Sequence, residues 1–333
     1  MTENLDWLPV AFAGMMALAM LIYAILDGYD LGVGILLPEA NADEKDRMIA
    51  SIGPFWDANE TWLVLGVGLL LVAFPKAHGI VLSTLYLPVA SMLIGLILRG
   101  VAFDFRAKAK TQTKTLWDRL FFAGSLMAAM SQGYMLGRYI TGFDPSTGAL
   151  GFAVLSGLCV AAGYALIGAC WLIMKTEDVL QRKAIKWGRT YLLVTCVGIV
   201  SVSIVNPLVN SRIFDRWFAV PEIFWLAPVP VITAVLAILC YRSLRSLPKE
   251  GDKHCWIPFA CTVGINVLAF AGLAYSFFPY IVPDQLTIWE AASATGSLLF
   301  IFYGVCVVLP AILLYTAFSY RVFWGKAVPL KYD

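Results

Sequence analysis

Residues 7–26, with the sequence WLPVAFAGMMALAMLIYAIL, form an apolar segment that contains no Asp, Glu, Lys, Arg or His. A helix needs about 20 mostly apolar residues to cross the ~30 Å hydrocarbon core of a bilayer. The segment therefore predicts a transmembrane helix. An acidic and glycine-rich stretch, residues 27–34 (DGYDLGVG), follows it directly.

The whole chain has the composition of a membrane protein. Of its 333 residues, 60% are hydrophobic and 14% are charged, and its mean hydropathy is +0.78. Soluble proteins carry about 25% charged residues. This composition excludes a water-soluble globular enzyme, a disordered chain and a small disulfide scaffold. The apolar runs are continuous and do not alternate, which argues against a β-barrel.

Eight further apolar runs follow the first one, so we predict an all-α integral membrane protein with nine transmembrane helices in a single domain, residues 1–333. The predicted helices cover residues 7–37, 52–75, 79–99, 117–138, 148–174, 188–211, 222–242, 256–279 and 290–322.

The basic residues predict the orientation. If the N-terminus lies outside, 20 of the 24 Lys and Arg residues fall in cytoplasmic segments and four fall outside. Such an excess on the cytoplasmic side is the usual pattern. We therefore expect the N-terminus outside and the C-terminus in the cytoplasm. The basic residues form no stripe, so we expect no nucleic-acid partner.

Residues 54–62 (PFWDANETW) place acidic groups at the membrane boundary. The apolar run that follows has only 15 residues, about 22 Å of helix, so the helix must begin near Asp57 in order to span. Asp57 and Glu60 then share one face, with Asn59 and Trp56 beside them. One reading is a proton path, since a carboxylate inside a membrane usually marks an ion route. The other is a wetted helix start favoured by the helix dipole.

Two more groups of charges lie near predicted helix ends. Asp27 and Asp30 are spaced i, i+3 at the end of the first apolar run, and they are either proton-path candidates or a polar helix end. In residues 99–106 (RGVAFDFR), Arg99, Asp104 and Arg106 form a supporting charge cluster. This cluster either orders its own loop or supplies counter-charges to the acids of the first two helices.

The sequence offers no catalytic centre of its own. His78 and His254 both fall near predicted helix ends, and we expect no haem ligand, since haem needs residues that point into a bundle. The seven cysteines form no CxxC pair, and we expect no metal site. There is no phosphate-binding loop and no nucleophile signature. Redox chemistry would have to be shared with another subunit.

Several motifs taken together resemble subunit II, the smaller subunit, of cytochrome bd-type quinol oxidases, a family that includes the cyanide-insensitive oxidases. They are residues 27–34, 54–62 and 99–106, followed by 278–283 (FPYIVP), 286–293 (LTIWEAAS) and 314–316 (LYT). The resemblance extends from about residue 7 to residue 326.

The resemblance implies a partner and a reaction. In this family a larger, homologous subunit I carries two b-type haems and one d-type haem, or a variant set. The complex couples quinol oxidation to the reduction of dioxygen to water in the bacterial cytoplasmic (inner) membrane. Small single-helix subunits join some members. A quinone can lie in subunit II as a structural lipid among the membrane lipids.

For the smaller subunit, the resemblance implies nine helices, no haem ligands of its own and a contribution to a cytoplasmic proton path. Asp57 matches the proton-path acid of the family, whereas the family often has Gln where this chain has Glu60. Two other readings remain open. One is a stand-alone secondary transporter that uses Asp57, Asp27 and Asp30 as coupling acids, and the other is a purely structural subunit.

Overall fold

The computed structural model of the chain describes residues 5–209, 211–220 and 222–327. The described residues are largely helical. The helices are α1 (Trp7–Leu36), α2 (Ala42–Ile52), α3 (Trp56–Ala73), α4 (Pro75–Lys108), α5 (Thr111–Ile140), α6 (Thr147–Lys175), α7 (Asp178–Val209), α8 (Ser211–Phe218), α9 (Glu222–Leu226), α10 (Pro228–Ser246), α11 (Ile257–Phe277), α12 (Ile288–Ala291) and α13 (Thr295–Val322). Short 3-10 turns cover Leu37–Glu39 and Glu250–Asp252, and β1 (Tyr280–Val282) pairs antiparallel with β2 (Leu286–Thr287).

The prediction of an all-α membrane protein is confirmed. Seven of the described helices are long and apolar enough to cross a membrane, and the bent pair α2–α3 makes an eighth if it counts as one span. The remaining predicted crossing corresponds to α5, which has 30 residues but is more polar and is not among the seven. Nine crossings and the orientation of the chain therefore stay predictions.

The second predicted helix, residues 52–75, corresponds to α3, and it is preceded by α2, a helix that the sequence did not predict. α2 and α3 meet at an angle of 50°, and residues 53–55 form the turn between them. Pro54 accounts for the break, because proline lacks a backbone N–H and its ring clashes with the preceding helical turn. As a result α3 begins at Trp56, and Asp57 lies in its first turn.

Other helices differ from their predicted limits at the ends. α4 runs from Pro75 to Lys108, although its apolar run predicts 79–99, because a helix can continue into water once it has left the hydrocarbon. Arg99 therefore lies inside a helix rather than just past its end. The predicted segments 222–242 and 290–322 are each divided, giving α9 with α10 and α12 with α13.

The last part of α1 is at the centre of the bundle. Every residue from Asp27 to Gly34 is buried, so this part of the helix has no face toward lipid. α1 packs against α3, α5, α6, α11 and α13. The acidic pair Asp27 and Asp30 is thus interior to both its helix and its bundle, and not at a wetted helix end.

Glycines allow α1 and α6 to cross at backbone contact. A Cβ atom on Gly32 would lie 1.8 Å from the carbonyl oxygen of Tyr164, and one on Gly168 would lie 2.6 Å from the carbonyl carbon of Gly32. Such close approach through small residues is common where membrane helices associate. It fixes the distance between the helix that carries the acids and α6 behind it.

We expect Gly32→Ala to lower the thermal denaturation midpoint of the purified protein markedly. Overpacking a filled interior costs about 1–3 kcal/mol, and more where backbone cannot shift. The matched control is Gly14→Ala in the same helix, where an added Cβ meets nothing within 4 Å. Equal midpoints for the two variants would contradict this account of the crossing.

Candidate functional site

An arginine and two carboxylates from three helices meet inside the bundle, and we call Asp27, Glu60 and Arg99 the arginine cluster. Nη1 of Arg99 on α4 lies 2.6 Å from Oδ1 of Asp27 on α1, and Nη2 contacts Oε1 of Glu60 on α3. The side chains of Arg99 and Asp27 are 1% and 0% exposed, whereas that of Glu60 is 26% exposed. Glu60 therefore connects the cluster with the surface of the chain.

A second set of polar groups lies one turn further along α1, and we call Tyr29, Asp30, Asn59 and Tyr320 the tyrosine network. Nδ2 of Asn59 donates hydrogen bonds to Oδ2 of Asp30 at 2.8 Å and to the Tyr29 hydroxyl at 2.9 Å. Oδ1 of Asn59 accepts from the Tyr320 hydroxyl at 3.2 Å, and the two tyrosine hydroxyls are 2.5 Å apart. The network joins α1 and α3 to α13.

A third polar contact extends from α1 toward α5 and α6. Nε2 of Gln132 donates to the Tyr23 hydroxyl at 2.7 Å, and the Tyr164 hydroxyl donates to Oε1 of Gln132 at 2.7 Å. Tyr23 lies one turn before Asp27 on α1. Polar side chains from five helices (α1, α3, α4, α5 and α6) therefore surround the acids, with Tyr320 of α13 as a sixth contributor.

The cation of the arginine cluster is held at a high energetic cost. Removing a charge from water costs several kcal/mol. The attraction of the buried charge to its counter-charges offsets this cost only when the ion-pair geometry is good and the partners stay in place. Arg99 satisfies this condition by contacting two carboxylates. With both ionised, the three groups carry a net charge of −1, so the cluster favours any further positive charge, including a proton.

Asp57 and Trp56 occupy different positions from the buried acids. Asp57 is exposed in the first turn of α3. Trp56 packs on Phe103 with ring centroids 5.0 Å apart, and Cζ of Arg99 lies 6.0 Å from the centre of the Trp56 ring. Trp56 therefore packs beside the arginine cluster, while Asp57 points away from the interior of this chain.

The predicted local cluster of Arg99, Asp104 and Arg106 does not form. Asp104 is exposed, and Arg99 instead supplies the counter-charge to Asp27 and Glu60, the alternative that the sequence left open. Arg106 pairs with Asp118 of α5 at 2.5 Å and with Asp46 of α2 at 2.7 Å. The reason is that α4 stays helical through this segment, so Arg99 and Arg106, seven residues apart, share its buried face while Asp104 lies on the exposed face.

Five participants are missed by the sequence reasoning. Tyr23, Tyr29 and Tyr164 look like ordinary aromatic residues, and Tyr320 lies 291 residues after its partner. Gln132 alone offered a signal, because an amide within an apolar run needs a hydrogen-bond partner.

The end of the described chain is held against the end of α6, and we call residues 323–327 the C-terminal strap. Nζ of Lys175 donates to the carbonyl of Phe323 at 2.8 Å, and Nζ of Lys326 donates to that of Thr176 at 2.8 Å. Lys326 also pairs with Asp252. Burial favours the neutral acid, but the ion pair with Lys326 and a hydrogen bond from Gln181 hold the pKa of Asp252 below its usual range.

The positions of the histidines do not suit a shared haem. His78 lies in the first turn of α4, near the start of α13, where Lys76 bonds to the carbonyl of Glu290. His254 lies two residues after Asp252, which forms an ion pair with Lys326, just past the other end of α13. α13 has 28 residues, about 42 Å of helix. The two imidazoles therefore cannot hold one haem between them, and no step is assigned to a haem on this chain.

Comparison with known proteins gives one consistent result. The family model described as "Cytochrome bd terminal oxidase subunit II" matches residues 8–323. The chain is 27% identical to "Cytochrome bd-I ubiquinol oxidase subunit 2" of Escherichia coli strain K12, over 91% of both chains. It is 26% identical to "Cytochrome bd ubiquinol oxidase subunit 2" of Bacillus subtilis strain 168, over 93% of this chain and 94% of that one.

A solved structure shares the fold. It is described as "The structure of bd oxidase from Geobacillus thermodenitrificans", and it aligns with a TM-score of 0.76 at 18% identity. The alignment covers 96% of this chain and 99% of that chain.

We expect Arg99→Gln to destabilise the protein by about 3–5 kcal/mol, because it leaves Asp27 as an uncompensated buried charge. Chemical denaturation of the purified protein measures the change. Adding Asp27→Asn to Arg99→Gln should recover part of the loss, since it removes one orphaned charge. The control is Arg119→Gln, at an exposed position of α5. A loss for Arg119→Gln as large as that for Arg99→Gln would contradict the importance of the cluster.

Proposed function

This chain belongs to the cytochrome bd terminal oxidase subunit II family, and we propose that it supports a larger haem-bearing subunit I and provides part of a proton path from the cytoplasm. The chain is thus a subunit of an oxidoreductase complex. The observation that carries the proposal is the arginine cluster, in which three helices meet and the buried Asp27 and Arg99 reach the surface through Glu60.

The exposed side of α3 supports a contact with subunit I. Asp57, Thr61, Val64 and Leu71 are all exposed, and their spacing puts them on one side of the helix. A carboxylate facing lipid tails is costly, whereas a protein partner can offer it a polar counterpart. We therefore propose that this side of α3 faces subunit I and that Asp57 meets the partner there.

A groove beside α3 extends the same surface. It has a volume of about 590 Å³ and is lined by Leu65 of α3 and by residues of α13. The exposed apolar residues of α13 include Phe300, Tyr303 and Val307. We propose that subunit I covers this surface together with lipid and, where present, small single-helix subunits. A quinone held as a structural lipid is a further candidate occupant.

The proposed path uses the residues of this chain only to hold and pass protons. Asp57 and Glu60 are three residues apart on α3, so a proton taken up at the cytoplasmic side can pass from Asp57 to Glu60 of the arginine cluster. The proposed topology has nine crossings, with α5 as the additional one, and places the N-terminus outside. The haems, two b-type and one d-type or a variant set, supply electron transfer and oxygen reduction in subunit I of the bacterial inner membrane.

The alternative of a stand-alone transporter is not favoured. Purification under mild conditions separates the two proposals. We expect this chain to co-purify with a larger membrane subunit and with a reduced-minus-oxidised haem spectrum that follows the complex. A colourless chain that is complete alone and transports solute in liposomes would contradict the oxidase proposal.

We expect Asp57→Asn to lower quinol-dependent oxygen uptake at least tenfold while haem content stays at the wild-type level, because the amide cannot exchange protons. Asp57→Glu keeps a carboxyl group and should retain much of the activity. Oxygen consumption by the purified complex, normalised to haem, is the measurement.

The matched control is Asp43→Asn, an exposed acid in the first turn of α2. It should leave oxygen uptake unchanged. Full activity of Asp57→Asn at full haem content would contradict the role of Asp57 in the path.

A further inference from the structure

Asp30 lies between the arginine cluster and the tyrosine network, and unlike Asp27 and Glu60 it forms no ion pair with a cation. From this we propose that Asp30 is the resident proton site of the chain, a neutral carboxylic acid inside the bundle. The inference deepens the proposed proton path and rests on it for its use in the oxidase.

The contacts of Asp30 suit a neutral acid. Its side chain is 0% exposed. Oδ2 accepts one hydrogen bond, from the uncharged amide of Asn59 at 2.8 Å. Oδ1 is buried and has no hydrogen-bond partner among the described residues. A carboxylate can accept about four hydrogen bonds, whereas a protonated acid carries one O–H donor and needs fewer donors around it.

The surrounding charges point the same way. The titratable and polar groups that face this region come from six helices: Tyr23, Asp27 and Tyr29 of α1, Asn59 and Glu60 of α3, Arg99 of α4, Gln132 of α5, Tyr164 of α6 and Tyr320 of α13. Among these described groups Arg99 is the one fixed cation.

Arg99 is already engaged by two other acids. Asp27 lies 2.6 Å from it, and Glu60 contacts the other guanidinium nitrogen. An ionised Asp30 would bring the net charge of the group from −1 to −2 in a buried region, where like charges close together are not both stable. A proton on one acid removes this repulsion.

Asp30 is the acid that gains most from the proton. Protonating Asp27 would weaken the closest contact of the buried guanidinium, and Glu60 is solvated by its partial exposure. Asp30 loses no ion pair when it is neutral. It can therefore keep one proton at depth, while Glu60 exchanges with the cytoplasm and Asp57 meets the partner.

The same substitution at two positions tests the location of the proton. Asn is a close isostere of neutral Asp, so Asp30→Asn should give an assembled complex with wild-type haem content and a denaturation midpoint close to that of the wild type. Asp27→Asn, three residues earlier, removes a partner of buried Arg99 and should lower both the yield and the midpoint. An Asp30→Asn complex as destabilised as Asp27→Asn would overturn the inference, since it would mean that Asp30 is ionised.

Infrared spectroscopy gives an independent readout. We expect the intact complex with isotope-labelled aspartate to show the carbonyl stretch of a neutral carboxylic acid, shifted by the label and lost in Asp30→Asn. The control is Asp57→Asn, which should retain this band. A band that persists in Asp30→Asn would overturn the inference. Neither readout is a rate of oxygen uptake, so failure of the Asp57 experiment, which tests the path itself, is distinguishable from failure of this one.

Discussion

The contact of Arg99 with Asp27 and Glu60 constrains the whole arrangement of helices around it. A guanidinium inside an apolar bundle is tolerable only when carboxylates lie within ion-pair distance, so α4 must stay close to both α1 and α3. The glycine contact of α1 with α6 then holds α1 from the opposite side. Helices that lipid alone would leave free to slide are thereby fixed in register.

The two polar groups divide the work between charge and hydrogen bonding. The arginine cluster pairs a guanidinium with two carboxyl groups and touches the surface through Glu60, whereas the tyrosine network has no cation and is joined by hydrogen bonds around Asn59. Aromatic rings enclose the second group, with Tyr29 stacked on Trp171 at 4.1 Å and Phe55 stacked on Tyr320 at 4.5 Å. A charged interior is therefore bordered by a neutral one, and Asp30 lies where they meet.

Much of this could be predicted from the sequence, for physical reasons. Because hydrocarbon thickness sets the length of an apolar run, the spanning segments and the acids beside them could be predicted from the sequence. The rotation of α3 about its axis could not be predicted, because it depends on how Trp56 packs against Phe103. The sequence therefore does not indicate that Asn59 is buried while Asp57, on the same helix, is exposed. The role of Tyr320 could not be predicted because its partner, Tyr29, lies on a helix that is distant in the chain.

That separation has a consequence for biosynthesis. Tyr29 is made early, while the hydroxyl that completes its hydrogen bonding arrives on α13, 291 residues later. Until α13 is inserted, the Tyr29 hydroxyl and Oδ1 of Asn59 lack their contacts with Tyr320. Docking of α13 is therefore the step of membrane insertion that completes the hydrogen bonding between α1 and α3.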